Sequence, residues 1–154
     1  MGAGKTTVGR TLSEVLGMGF ADSDDAIEAE TGGSGADYAA AHGVPALHVL
    51  ERDVFLASLQ EKDPSVISAA ASVIDDAEVR RELDSHVCIW LDADPEVRTA
   101  RRVESGHRRP MAEDSSTSLD ERRRPHFEGH GIVRVDTTKA SVDDCVTTIV
   151  AALG

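Results

Sequence analysis

Aromatic residues are scarce in this chain. One Trp, one Tyr and three Phe make up 3% of its 154 residues, against 40% hydrophobic residues in all. A sizeable core is still possible, built mainly from aliphatic side chains. No run reaches the roughly 18 apolar residues that a membrane-spanning helix needs, and no secretory signal peptide is present. Cysteine is nearly absent: Cys88 and Cys145 stand alone, with no C-x-x-C spacing. That argues against a disulfide framework or a zinc site, and predicts two reduced, buried thiols. Positive charge is also short, with 16 Lys and Arg against 28 Asp and Glu and a net charge of −12. An acidic surface disfavours nucleic acid and anionic membrane as partners. Length and composition predict one soluble, cytoplasmic, monomeric domain spanning residues 1–154.

The most informative residues are at the start, Met1-Gly2-Ala3-Gly4-Lys5-Thr6-Thr7. Gly4-Lys5-Thr6 supplies the end of the phosphate-loop pattern G-x-x-x-x-G-K-[ST]. In that pattern backbone N–H groups cradle phosphates, the lysine reaches the outer phosphates, and the hydroxyl residue holds Mg²⁺. The first glycine of the pattern would fall two residues before Met1, and the apolar strand that feeds such a loop is not in the sequence. The expectation is that a short strand ending in Gly-x precedes Met1.

Val8, Leu12, Val15 and Leu16 share one helical face after the loop, and Gly17 can end that helix. The helix N-terminus would then face a bound anion. Short apolar runs at 18–21, 65–69, 87–91 and 132–135 read as strands. Helical stretches are predicted over 24–30, 34–41, 45–61, 75–83, 94–103, 119–127 and 141–153, and a polar mobile segment, a lid, over about 104–118. Strands alternating with helices imply an α/β fold with a parallel sheet.

Two further groups of residues suit phosphoryl transfer. Asp22-Ser23-Asp24-Asp25 follows the second-strand run, and ligands of open α/β sheets sit beyond the carboxyl ends of strands. Alternation along a strand would turn Asp22 and Asp24 the same way, one toward a Mg²⁺ ion and one toward an attacking hydroxyl. The arginines Arg101, Arg102, Arg108, Arg109, Arg122, Arg123 and Arg124 cluster around the polar segment, and arginines neutralise charge on a transferring phosphoryl group. Arg101, Arg108 and Arg122 are expected to pair with surface carboxylates.

In this order the motifs resemble the shikimate kinase family, small-molecule kinases of the P-loop type, over essentially the whole chain. The resemblance rests on Gly2–Arg10, on the run from Asp22 through Thr31-Gly32, on Arg109-Pro110, on Arg123 with Pro125 and Phe127, and on Val133–Thr137. It implies a three-layer α/β P-loop kinase fold. It further implies that Gly2, Ala3, Gly4, Lys5, Thr6 and Thr7 bind ATP phosphates. Thr6 and Asp22 would serve Mg²⁺, and Asp24 would bind shikimate hydroxyls and orient the attacking one. Arg109 would reach the phosphates from the lid, Arg123 would hold the shikimate carboxylate, and Arg102 and Lys139 would line the adenine pocket. Lys5, Asp24 and Arg109 would be the catalytic set.

Two positions depart from the family pattern. His48 stands where the pattern has an arginine, and a histidine is only part-charged near pH 7 and lacks the bidentate fork. Ala69-Ala70-Ala71 replaces three glycines, so a left-handed backbone there would cost about 1–2 kcal/mol, and the Ala70 methyl would face the substrate. The donor side reads as intact and the acceptor side as altered. The expected function is ATP-dependent phosphorylation of shikimate or a similar small hydroxy acid. A kinase for another small hydroxylated metabolite, or a nucleotide-binding protein without turnover, stands as the alternative.

Overall fold

The computed structural model describes residues 3–63, 65–104, 116–129 and 133–154. Helices and short strands alternate in the order α1 (Lys5–Leu16), β1 (Gly19–Asp22), α2 (Ser23–Thr31), α3 (Gly35–His42), α4 (Val44–Leu59) and β2 (Ser65–Ser68). A 3-10 helix (Ala71–Asp75) follows, then α5 (Ala77–Leu83), β3 (Ile89–Asp92), α6 (Pro95–Glu104), α7 (Ser116–Gly129), β4 (Val133–Asp136) and α8 (Val142–Leu153).

Local chemistry sets most of these boundaries. Gly17 ends α1 with φ 64°, and its N–H returns to the carbonyls of Ser13 and Glu14. Ser34 and Ser141 open α3 and α8 with capping boxes closed by Asp37 and Asp144. The expected polar segment is shorter than predicted, because 116–118 already belong to α7; residues 105–115 lie outside the described residues. Helix α7 also runs through Pro125 to Gly129. Beyond the proline, Phe127 stacks on Trp90 of β3 at 5.1 Å, a tertiary contact that opposes the loss of one backbone bond.

Asp76 caps α5 by accepting the N–H groups of Glu78 (2.8 Å) and Val79 (3.1 Å). The Val79 bond first, then Glu78 and the nearby Arg52, hold its carboxyl below the usual range. A lowered folded-state pKa stabilises above the unfolded value of about 3.9 and is lost as pH falls through the folded value. Asp76→Ala should therefore cost about 0.5–2 kcal/mol at neutral pH, read by denaturant unfolding. The deficit should shrink in acid below pH ~4.

The four strands among the described residues are parallel, but they form two pairs. β1 runs beside β2 with Gly19 opposite Ser65, and β3 beside β4 with Ile89 opposite Val133. This departs from a single continuous sheet. The second edges of β2 and β3 border a cavity of about 630 Å³ between the pairs. On one side it is lined by Val8 and Leu12 of α1 and Ile149 of α8, and on the other by Phe55 and Leu59 of α4 and Phe127 of α7.

The core divides accordingly. Val8, Leu12, Val135, Cys145, Val146 and Ile149 form one cluster that receives Val66 from β2. Phe55, Val73 and Val79 form another that receives the next residue, Ile67. Apolar burial on both faces marks strands of a parallel sheet covered by helices. Both cysteines are free thiols; Cys145 is buried as expected, but Cys88 is only half-buried. Among the described residues no helix is long and apolar enough to cross a membrane.

Candidate nucleotide and acceptor site

The site forms where the strands end. Gly4 caps α1 with φ 84° and ψ 21°, a conformation that costs a non-glycine residue about 1–2 kcal/mol. The first N–H groups of α1 have no acceptor inside the helix, and Gly4 offers no side chain to cap them. They therefore form a donor array with the helix's partial positive charge behind it, suited to phosphate. Gly9 lets this helix lie close on the sheet, since a Cβ there would come within 2.9 Å of the Phe20 ring.

The Thr6 hydroxyl donates to Asp22 Oδ2 at 2.7 Å, while Asp22 Oδ1 accepts the Asp24 N–H at 2.9 Å. Asp22, only 8% exposed at the end of β1, thus caps α2 and meets the loop. A hydroxyl beside a carboxylate is a hard-oxygen donor set of the kind Mg²⁺ accepts together with waters and phosphate oxygens. Asp24 falls elsewhere than expected. β1 stops at Asp22, so Asp24 is the second residue of α2 and exposed, and helical rather than strand geometry directs it.

Two tethers fix the opposite wall. The Thr137 hydroxyl, directly after β4, donates to the Ala3 carbonyl at 3.1 Å, and the Thr137 N–H reaches Asp92 O at 2.8 Å. Arg101 grips the same residue, Nη2 to the Thr137 carbonyl at 2.8 Å and Nη1 to its hydroxyl at 3.2 Å. Arg101 thus anchors the loop start, a role beyond the surface pairing expected of it. Nothing in the sequence signalled this, because the contact spans 36 residues. Past β4 the Thr138 N–H bonds Asp136 at 2.8 Å, which shapes the loop carrying exposed Lys139.

The acceptor side also holds surprises. Ala70 has φ −64° and ψ 144°, and among the described residues no non-glycine residue has positive φ. The expected backbone strain at Ala69–Ala71 is therefore absent: the chain turns into a 3-10 helix from ordinary extended geometry. Ala70 does line the cavity, together with Lys5 and Arg123. His48 is exposed on α4. One turn on, Glu51 is 1% exposed and accepts a hydrogen bond from the Ser72 hydroxyl. Arg123 is held by Asp75, and Arg122 approaches the same carboxylate at 4.0 Å. Of the remaining expected residues, Gly2, Arg108 and Arg109 lie outside the described residues, and Arg102 lies on α6 with its side chain outside them.

A glycine-capped helix N-terminus and a Thr–Asp pair beneath it, set at the ends of parallel strands packed between helices, define a nucleotide-binding P-loop α/β protein. The family model described as shikimate kinase matches residues 1–154. Shikimate kinases of Symbiobacterium thermophilum and Caulobacter vibrioides are 36% and 35% identical to the chain. The alignments cover 99% of it in both cases and 91% and 78% of those proteins. The structure of Acinetobacter baumannii shikimate kinase in complex with shikimate superposes with a TM-score of 0.83 at 25% identity, covering 99% of this chain and 88% of the other. The Aquifex aeolicus shikimate kinase structure gives a TM-score of 0.79 at 25% identity, covering 99% and 90%. The chain belongs to the shikimate kinase family.

Proposed function

We propose that the chain transfers the γ-phosphoryl group of ATP to a hydroxyl of shikimate, with Mg²⁺, as a cytoplasmic enzyme. Membership of the family supports the reaction. The observation that carries it at the level of residues is the Thr6–Asp22 bond of 2.7 Å beneath the open N-terminus of α1. The first-turn N–H groups of α1 bind the β- and γ-phosphate oxygens, and Lys5 adds a positive charge to them. Thr6 and Asp22 would hold Mg²⁺, which when bound would neutralise charge on the phosphate oxygens. Asp24 orients the acceptor hydroxyl. Arg123 binds the acceptor carboxylate, the group a guanidinium fork matches best. By the family resemblance, Arg102 and Lys139 serve the base and Arg109 serves the phosphates.

The test follows ADP and phosphorylated shikimate together by a coupled assay and mass spectrometry, with and without Mg²⁺. Product formation that stops on chelation is expected. ATP binding without phosphorylated shikimate would favour a nucleotide-binding protein without turnover.

Asp22→Asn separates the two tasks of that residue, since asparagine keeps an oxygen for the Asp24 N–H but loses the charge. The Mg²⁺ concentration for half-maximal rate should rise about 10–100-fold while the circular dichroism spectrum stays unchanged. An unchanged Mg²⁺ requirement would remove Asp22 from the metal site.

A further inference from the structure

Arg123 is 9% exposed, and its contacts are one-sided. Nε donates to Asp75 Oδ1 and Oδ2 at 3.1 and 3.0 Å, and Nη2 donates to Oδ2 at 2.7 Å. A guanidinium carries five N–H donors in a rigid plane. Asp75 takes the lateral Nε–Nη2 edge. Among the described residues the donors of the Nη1–Nη2 end meet no acceptor, and Arg123 lines the cavity shared by Lys5 and Ala70. Asp75 itself is placed firmly: it closes the 3-10 helix that follows β2, between buried Ile74 and the α5 cap Asp76.

We infer that Asp75 is the positioning residue for the acceptor carboxylate: it holds Arg123 by one edge and turns the other toward the acceptor. This rests on the proposed phosphorylation of shikimate. The physical argument has two parts. An arginine side chain loses much rotamer freedom when fixed, and the bidentate grip of Asp75 has already removed it. A nearly buried guanidinium also needs a compensating charge when no ligand is present, and Asp75 supplies one without occupying the end that a carboxylate ligand would use.

The experiment compares wild type, Asp75→Asn and Asp75→Ala in steady-state kinetics and calorimetric binding. The ligands are shikimate and its carboxamide analogue, and thermal melting serves as the folding control. Asp75→Asn keeps the side-chain volume and one acceptor, so it reports even where the alanine variant folds poorly. For Asp75→Ala the shikimate KM should rise about 10–100-fold, with kcat and the ATP KM within about threefold. Asp75→Asn should fall between, and the carboxamide analogue should respond to neither change.

An unchanged shikimate KM would reduce Asp75 to a structural partner. A lowered KM would show that it competes with the substrate carboxylate; either result overturns the inference. Wild-type protein that binds shikimate without turnover, with binding weakened in the variants, would remove the proposed reaction and keep the role of Asp75. Wild-type protein that does not bind shikimate would overturn both.

Discussion

Lys5→Ala should lower kcat/KM for phosphoryl transfer by about 10²–10³-fold, the scale of losing one preorganised charge contact in a transition state. Lys5 is the first residue of α1 and lines the cavity at the strand ends beside Ser68 and Ala69. The charge on the transferring group spreads over its outer oxygens, and the proposed role of Lys5 at the helix start is to meet them. The fold should survive, because alanine is the better helix former at that position and the α1 core contacts belong to Val8 and Leu12. The loss should fall mainly on kcat, since phosphate binding through backbone N–H groups remains. Measured rates within threefold of wild type in a folded Lys5→Ala protein would exclude the phosphate-loop mechanism.

Supplying one apolar strand ahead of Met1, such as four or five Val and Ile residues followed by Gly-x, should raise the melting temperature by on the order of 10 °C. The slot for it is visible. β2 and β3 face each other across the cavity, and Val87, Leu16 and Leu153 stand exposed among its lining residues, Val87 at 67%. Ala3, at the far end, is tied to Thr137, so a strand entering between the pairs would run parallel to its neighbours and deliver the chain to α1. Each buried aliphatic side chain contributes about 1.5–3 kcal/mol and each ladder hydrogen bond about 0.5–1.5 kcal/mol. Ordering the backbone costs about 1–2 kcal/mol per residue. The balance is a few kcal/mol in favour, and at this chain length each is worth about 2–4 °C. A control strand with Lys and Glu at the same positions should not stabilise. Equal melting temperatures for the two would show that no strand occupies the slot.

Much of the architecture was legible because it is set by neighbours in sequence. Gly17, Ser34, Asp76 and Ser141 mark helix ends through bonds to residues at most four positions away. Of the aliphatic period on α1, Val8 and Leu12 are buried as expected, while Val15 and Leu16 are exposed. The Asp24 geometry was misjudged, because strand alternation was carried two residues too far: the Asp22 cap switches the chain to helix at Ser23. The strain assigned to Ala69–Ala71 was likewise wrong, since the residue type that a family pattern prefers does not fix φ at a given position. The Arg101 anchor and the Asp75 grip on Arg123 were out of reach, as their partners lie 36 and 48 residues away.

The sequence by itself determined the phosphate loop, the order of helices and strands, the anionic surface and the set of residues from which a kinase site could be built. These follow from short-range hydrogen bonding, periodicity and charge. The tertiary structure alone decided which carboxylate each cation meets and that the strands form two pairs across an apolar slot. It also decided that Thr6 and Asp22, 16 residues apart, lie within 2.7 Å. Such contacts depend on how helices pack on a sheet, and packing joins residues by volume and shape rather than by spacing along the chain.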